Sequence, residues 1–582
     1  MMKSRSLLGA VVLAALFLVI SCTQKSVAPA LVIETSSSSA SSERSLSDAA
    51  APVTTSPAPS LVIASTAPTD VLARIRDERM NRSQVPQTLS YLTDVIGPRL
   101  TGSPNLRRAN EWTRDRLASW GLVNAHLEAW GPFGRGWSLK RFSAQIVEPQ
   151  DIPLIAFPKA WTPGFDKPIT ADVVYVHATT ESDLSQYRGS KLKGKIVLAG
   201  PIREVQARFE PMAVRVTDPD LLKLANAEAG TSSPPGLARA ATAAERRAQF
   251  GLAPLDRAAT RPIATQPATT QSARGGGPRD NTPAGAARRL AFARRLMEFL
   301  TQEGAAAIVS PSTQGDGGTL FVASITIPQP ATQRSGGRAA TTRSSTQPWS
   351  KDAAATAPQI TVAAEHYNRL VRMIEAGEKL RMQVDLQVQF HDDDPMAYNT
   401  VAEIPGTDLK DQIVMLGAHM DSWHSGTGAT DNGAGCAAVM EAVRILKASG
   451  VKPRRTIRIA LWTGEEEGLY GSKAYVAQHF GKYEDVAPTT RAASSTRNSA
   501  PGTRNSSSRP PRKFLPGPEY DNLSAYYNLD NGAGKIRGVY LQGNDAVRSL
   551  FRKWLAPFTE EGAATLTSSN TGGTDHVSFD AV

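Results

Sequence analysis

The chain has 582 residues, 41% of them apolar, and a formal net charge of +11. That length and apolar fraction exclude a small disulfide-stapled scaffold and a wholly disordered protein, and they leave room for more than one packed unit. The positive charge does not make a nucleic-acid surface. It sits in Arg-rich low-complexity runs near 239–289, 334–351 and 491–513, the rest of the chain is mildly acidic, and no basic stripe is interleaved with aromatics.

In chain order, Lys3 and Arg5 precede an apolar run over 7–20, followed by Ser21 and Cys22. The run is too short to span a bilayer comfortably and fits the core of a signal peptide covering 1–21. Its end, Val19-Ile20-Ser21-Cys22, resembles a bacterial lipobox. That resemblance implies cleavage before Cys22, lipidation of its thiol, and an exported lipoprotein held at a membrane, in the periplasm or outer membrane or on the cell surface. Residues 22–67 are rich in Ser, Ala, Thr and Pro and read as a disordered tether. Cys436 is the other cysteine of the chain. With Cys22 lipidated no intramolecular disulfide is possible, and Cys436 is expected to be a small core residue.

Helical spacing is predicted over 105–120, with Ser103 as cap and Gly121 as stop, followed by a strand over 123–130. Short strands are expected at 171–177, 194–200 and 305–311, and a helix at 288–303. From about 383 the pattern becomes β/α, with strands at 384–390, 412–419, 456–463, 525–530 and 538–543. Helices are expected at 436–446, 468–480 and 545–558, the first with a single apolar stripe. Strands alternating with helices argue for a mixed or parallel sheet covered on both faces. The resulting division is 68–155 and 381–582 for one α/β domain, with a β-rich inserted domain at 156–380. Disordered insertions are expected at about 229–287, 329–357 and 487–518.

The chemistry-bearing residues gather in the last domain. His419 ends one predicted strand, Glu465 and Glu466 follow another, and Asp530 ends a third. Asp431 lies in the turn before a helix, and His576 lies in a GGTDHVSF segment. In open α/β sheets ligands collect beyond the carboxyl ends of strands. An imidazole with several carboxylates suits a borderline-hard cation such as zinc. The set suggests a two-metal hydrolase. His424, between His419 and Asp431, reads as a solvated loop residue.

The segments HMD, TDN, GEEEGLYGS, NLDN and TDHVSF, in this order, resemble the M28 family of zinc exopeptidases. The resemblance implies a phosphorylase/hydrolase-like three-layer α/β/α sandwich, and the inserted domain resembles a protease-associated domain. It implies two zinc ions per chain. His419 and Asp530 would bind one, Glu466 and His576 the other, and Asp431 would bridge them. Glu465 would be the general base, and Asp421 would orient the His419 imidazole. Peptides or small proteins are the implied substrates. Aminopeptidase is the first expectation, with carboxypeptidase or dipeptidase, or a metal-free binding protein, as alternatives. The chain stops at Val582, six residues after His576, and the family pattern implies a truncated C-terminus. Oligomeric state is not legible.

Overall fold

The computed structural model describes residues 70–205, 207, 209, 215–228, 283–328, 346–486, 512–531, 534–580 and 582. The signal segment, Cys22 and the tether lie outside the described residues, as do most of the three expected insertions. Among the described residues no helix is long and apolar enough to cross a membrane.

Five strands form one sheet in the spatial order Val123–Trp130, Ala397–Ile404, Arg455–Trp462, Leu409–His419, Leu523–Asn528. The first two junctions are antiparallel and the last two parallel. The interior strand Leu409–His419 is buried from Ile413 to His419, which explains the near-continuous apolar sequence there. Val414, Leu416 and Ala418 pack with Leu106 and Val439 of the helices Pro104–Ser119 and Ala434–Ala448. Ile413 and Met415 pack on the opposite face with Tyr475 and Val476 of helix Tyr470–His479. The arrangement is a three-layer α/β/α sandwich.

Helix Ala434–Ala448 departs from the single-stripe expectation, because every residue from Gly435 to Leu446 is buried. Helices Val71–Arg82 and Val85–Ser90, which the sequence pattern did not reveal, cover its outer side. The polar residues it buries are paired. Arg444 lies 2.7 Å from Glu441 and 3.0 Å from Glu78, so neither charge is left alone in the interior. Helix Pro104–Ser119 starts as expected, with the Ser103 hydroxyl accepting from the backbone N–H of Leu106.

A second sheet has eight strands, with Ile169–Val176, Ile196–Ala199, Ala307–Pro311 and Gln359–Val362 running parallel at its centre. Helices cover both of its faces, Pro283–Gln302 on one and Ala364–Glu375 on the other. The unit expected to be β-rich with a helix at 288–303 thus carries helices on both faces of its sheet. Its boundaries also differ from 156 and 380. Strands Gly136–Glu148 and Arg381–His391 form one long antiparallel ribbon, and that ribbon joins this sheet through Ile169–Val176. Backbone pairing, invisible in either segment alone, decides which sheet they enter.

The described edges of the expected insertions are ordered where they find partners. Arg512–Pro516 pairs antiparallel with Gly481–Asp485. Trp349 is buried among Phe133, Trp161 and Tyr470. That aromatic cluster, with Trp130 and Trp137, packs between the layers of the two sheets.

Candidate metal centre

The parallel strands Leu409–His419, Arg455–Trp462 and Leu523–Asn528 end at one edge, where His419 pairs with Trp462 and Gly417 with Asn528. The residues just beyond these ends are therefore neighbours. His419 is 1% exposed. Its Nδ1 lies 3.1 Å from the Asp421 carbonyl oxygen, an atom that can only accept, so Nδ1 carries a proton. Its Nε2 faces Asp530 Oδ1 at 3.0 Å and Asp431 Oδ1 at 3.1 Å, with Glu465 Oε2 at 3.9 Å.

An Nε2 turned onto carboxylate oxygens needs a second proton or a cation between the two. The surrounding carboxylates pull the His419 pKa well above its usual value, outweighing burial. The acids respond the other way. Burial, with Asp421, Asp530 and Asp575 close by, pushes Glu465 up to about 9. Burial and Asp431 push Glu466 up to about 8. One imidazole does not balance this many buried acids. The Asp421 carboxylate also keeps one buried oxygen, and Asp575 both of its oxygens, without a hydrogen-bond partner. A divalent cation fits this donor set, because it neutralises the acids and takes the Nε2 lone pair at once. His419, Glu465 and Asp530 have ligand atoms within 4.8 Å of one another.

Asp421 is fully buried. It accepts from Thr101 Oγ1 at 3.3 Å and from the backbone N–H of Glu466 at 3.1 Å. It therefore ties the His419 strand end to the Glu465–Glu466 turn. The Asp431–Asn432 peptide bond is cis. Asn432 donates to the Leu529 carbonyl at 3.1 Å and accepts from the Gly435 N–H at 3.1 Å, fastening the Asp431 turn to the strand that delivers Asp530.

Of the expected residues, His419, Asp431, Glu465 and Asp530 converge, and Glu466 is attached through its backbone. His576 does not join them. Its ring Nε2 sits 2.9 Å from the Thr571 carbonyl oxygen. Its neighbour Asp575 is the fully buried residue of that segment. A four-residue helix, His576–Phe579, anchored by Phe579 stacked on Tyr526 at 3.8 Å, sets this orientation.

His424 is a correction. It is 7% exposed, its Nε2 lies 2.7 Å from the Pro158 carbonyl, and its ring packs against Trp137 and Phe157. Burial holds it down to about 4. The second sheet's layer covers the segment that a sequence reading leaves in water. Arg99 was also missed. A lone arginine between Pro98 and Leu100 carries no sequence sign of burial, yet it is 0% exposed beside this segment.

Residues 399–582 match the family model "Peptidase family M28". A stretch of 122 residues is 39% identical to carboxypeptidase Q of Xenopus laevis, covering 21% of this chain and 26% of that protein. A stretch of 79 residues is 44% identical to leupeptin-inactivating enzyme 1 of Streptomyces exfoliatus, covering 14% of this chain and 18% of that protein. The chain thus spans about a quarter of the length of the carboxypeptidase Q it matches. Among solved structures, a peptidase M28 precursor from Shewanella amazonensis aligns at 19% identity with a TM-score of 0.48, over 87% of this chain and 83% of that one. A zinc aminopeptidase from Bacillus subtilis aligns at 14% identity with a TM-score of 0.40, over 85% and 81%. Residues 399–582 are thus similar to peptidase family M28.

Proposed function

We propose that this protein is a zinc-dependent exopeptidase that removes residues from a chain end, with aminopeptidase as the leading activity. The observation that carries the reading is the convergence of Asp431, Asp530 and Glu465 on the unshared Nε2 of His419. His419, Asp431 and Asp530 would hold one ion and Glu466 with Asp431 a second, with His576, whose Nε2 is turned to the Thr571 carbonyl, outside the set. Bound zinc supplies a water of lowered pKa and polarises the scissile carbonyl.

This chain's own groups do the rest. Glu465 takes the proton of the attacking water and hands it to the departing amine. Its carboxyl is 9% exposed, so bulk water does not compete for that proton. Asp421 accepts the Glu466 N–H and keeps the adjacent glutamates divergent. The Asp421 carbonyl holds His419 Nδ1 and so fixes the tautomer in which Nε2 is free to ligate.

The reading extends to an exported chain anchored through lipid on Cys22, with the second sheet's unit as a protease-associated-type insertion. Carboxypeptidase or dipeptidase activity is the second reading, favoured by similarity to carboxypeptidase Q. The test is a panel of aminoacyl anilides, N-blocked peptides and free dipeptides, with and without added zinc. Zinc-dependent cleavage of free-amine anilides alone establishes the aminopeptidase. Cleavage of N-blocked peptides moves the assignment to a carboxypeptidase, and of dipeptides alone to a dipeptidase. No turnover by folded, zinc-loaded protein overturns the reading.

A further inference from the structure

Between the proposed ligands His419 and Asp431 lies an irregular segment without regular secondary structure until the turn at Ala429. Such a segment, with glycines at 426 and 428, has many conformations to lose. Metal ligands tolerate only a few tenths of an ångström of error. Something must hold both ends of the segment still.

Arg99 does so from outside it. The Nε donates to the Met420 carbonyl at 2.8 Å, immediately after His419. Nη1 reaches the Thr427 carbonyl at 2.9 Å and Nη2 the Gly428 carbonyl at 2.8 Å, shortly before Asp431. Nη1 also faces Leu92 and Gly97 carbonyls, each at 3.1 Å, which root the side chain in its own stretch of chain. The backbone adds a reciprocal pair. Arg99 N–H donates to the Ser422 hydroxyl, and Ser422 N–H donates to the Arg99 carbonyl, both at 3.1 Å.

The guanidinium thus meets five carbonyl oxygens and, among the described residues, no carboxylate. A buried arginine without an acid partner is costly unless its donors are satisfied, and only a planar fork can span this many acceptors. Gly428 is shaped for it. A Cβ there would stand 2.8 Å from Arg99 Nη2 and 2.4 Å from the Ser422 Cβ, and its φ of +62° lies in the left-handed region. At the middle of the segment His424 is pinned to Pro158.

We infer that Arg99 is a positioning residue for the metal centre, a guanidinium clamp that joins the start and end of the His419–Asp431 segment and sets the spacing of those two ligands. The inference rests on the assignment of His419 and Asp431 as ligands. It makes Arg99 act through the backbone, without touching metal or substrate. Lysine keeps the charge but offers three donors from a single point, so it cannot bridge Met420 and Gly428 as the fork does.

The test compares wild type, Arg99→Lys, Gly428→Ala and His419→Ala in the full chain. The readouts are zinc affinity by chelator competition, the visible absorption of the cobalt-loaded protein, and far-UV circular dichroism. The expected result is folded Arg99→Lys protein with zinc affinity down about 10- to 100-fold and an altered cobalt band. His419→Ala should lose high-affinity zinc. Should Arg99→Lys fail to fold, Gly428→Ala, which disturbs the same contact from the other side, decides by the same readouts. Zinc affinity within twofold of wild type and an unchanged cobalt band in the folded clamp variant, with affinity lost in His419→Ala, overturn the inference alone. Unchanged zinc affinity in His419→Ala overturns the metal reading and the inference with it.

Discussion

The imidazole Nε2 of His419 lies 3.0 Å from Asp530 Oδ1, across 111 residues of sequence. The two meet because strands Leu409–His419 and Leu523–Asn528 are parallel neighbours that end at the same edge. Under the proposed reading, removing either side chain takes away a ligand of the cation that both would hold. His419→Ala and Asp530→Ala are each expected to weaken zinc binding about 100-fold or more, with the fold retained. Chelator competition measures it, and wild-type affinity in both variants would exclude the pair as ligands.

Glu465 separates the roles of ligand and base. Glu465→Gln keeps the side-chain shape and removes the proton acceptor. Turnover should fall by about 10²–10⁴-fold while KM and zinc content stay close to wild type. Steady-state kinetics with metal analysis on one preparation checks this. Loss of zinc in parallel with activity would make Glu465 a ligand instead, as its 3.9 Å approach to His419 allows.

Away from the metal centre, His479 sits between Glu519 at 2.7 Å and Glu128 at 2.9 Å. Burial opposes its charge, but the two carboxylates outweigh burial and raise it to about 9. A histidine whose folded pKa is raised contributes stability in full below its unfolded value, about 6.5. That contribution is lost as pH rises from there through 9. The loss should be about 1–2 kcal/mol after allowing for solvent screening. His479→Gln should show a flatter fall in denaturation midpoint between pH 6.5 and 9 than wild type. Parallel curves for the two proteins would refute the pairing.

Cys436 is fully buried, and its Sγ donates to the His419 carbonyl at 3.0 Å. Burial pushes its thiol up to about 12. A neutral, enclosed thiol does not react at pH 8. In a Cys22→Ser background, a chromogenic disulfide reagent should label no thiol in the native protein and one per chain in denaturant. Rapid native labelling would show the strand-end core opening on the assay timescale.

Much of the catalytic sheet was legible locally. The alternating or continuous apolar runs at 123–130, 412–419 and 456–463 fall within a residue or so of strands Val123–Trp130, Leu409–His419 and Arg455–Trp462, apart from a longer start on the second. Such runs need no distant information, because a half-exposed edge strand such as Val123–Trp130 alternates and a strand buried on both faces is apolar throughout. Strand Ala397–Ile404 was not legible, although it lies between two sheet neighbours. Its Asn399 and Thr400 are buried by hydrogen bonds to Gly471 and Asn110, contacts that no local pattern encodes. His424 and Arg99 failed for the same reason, since each is held by backbone carbonyls from remote segments.

By itself the sequence determined the chemical inventory: an imidazole and acids at strand ends and turns, with glycines where the chain must bend sharply. Side-chain type and the period of burial are local properties, and they survive in a string of letters. The tertiary structure alone decided which groups meet. It turned His419 Nε2 onto Asp530 and Asp431, turned His576 to Thr571, and enclosed Arg99 in carbonyl oxygens. Those outcomes depend on parallel strand register and on which backbone groups are left to be satisfied in the interior, and both exist only once distant segments have packed.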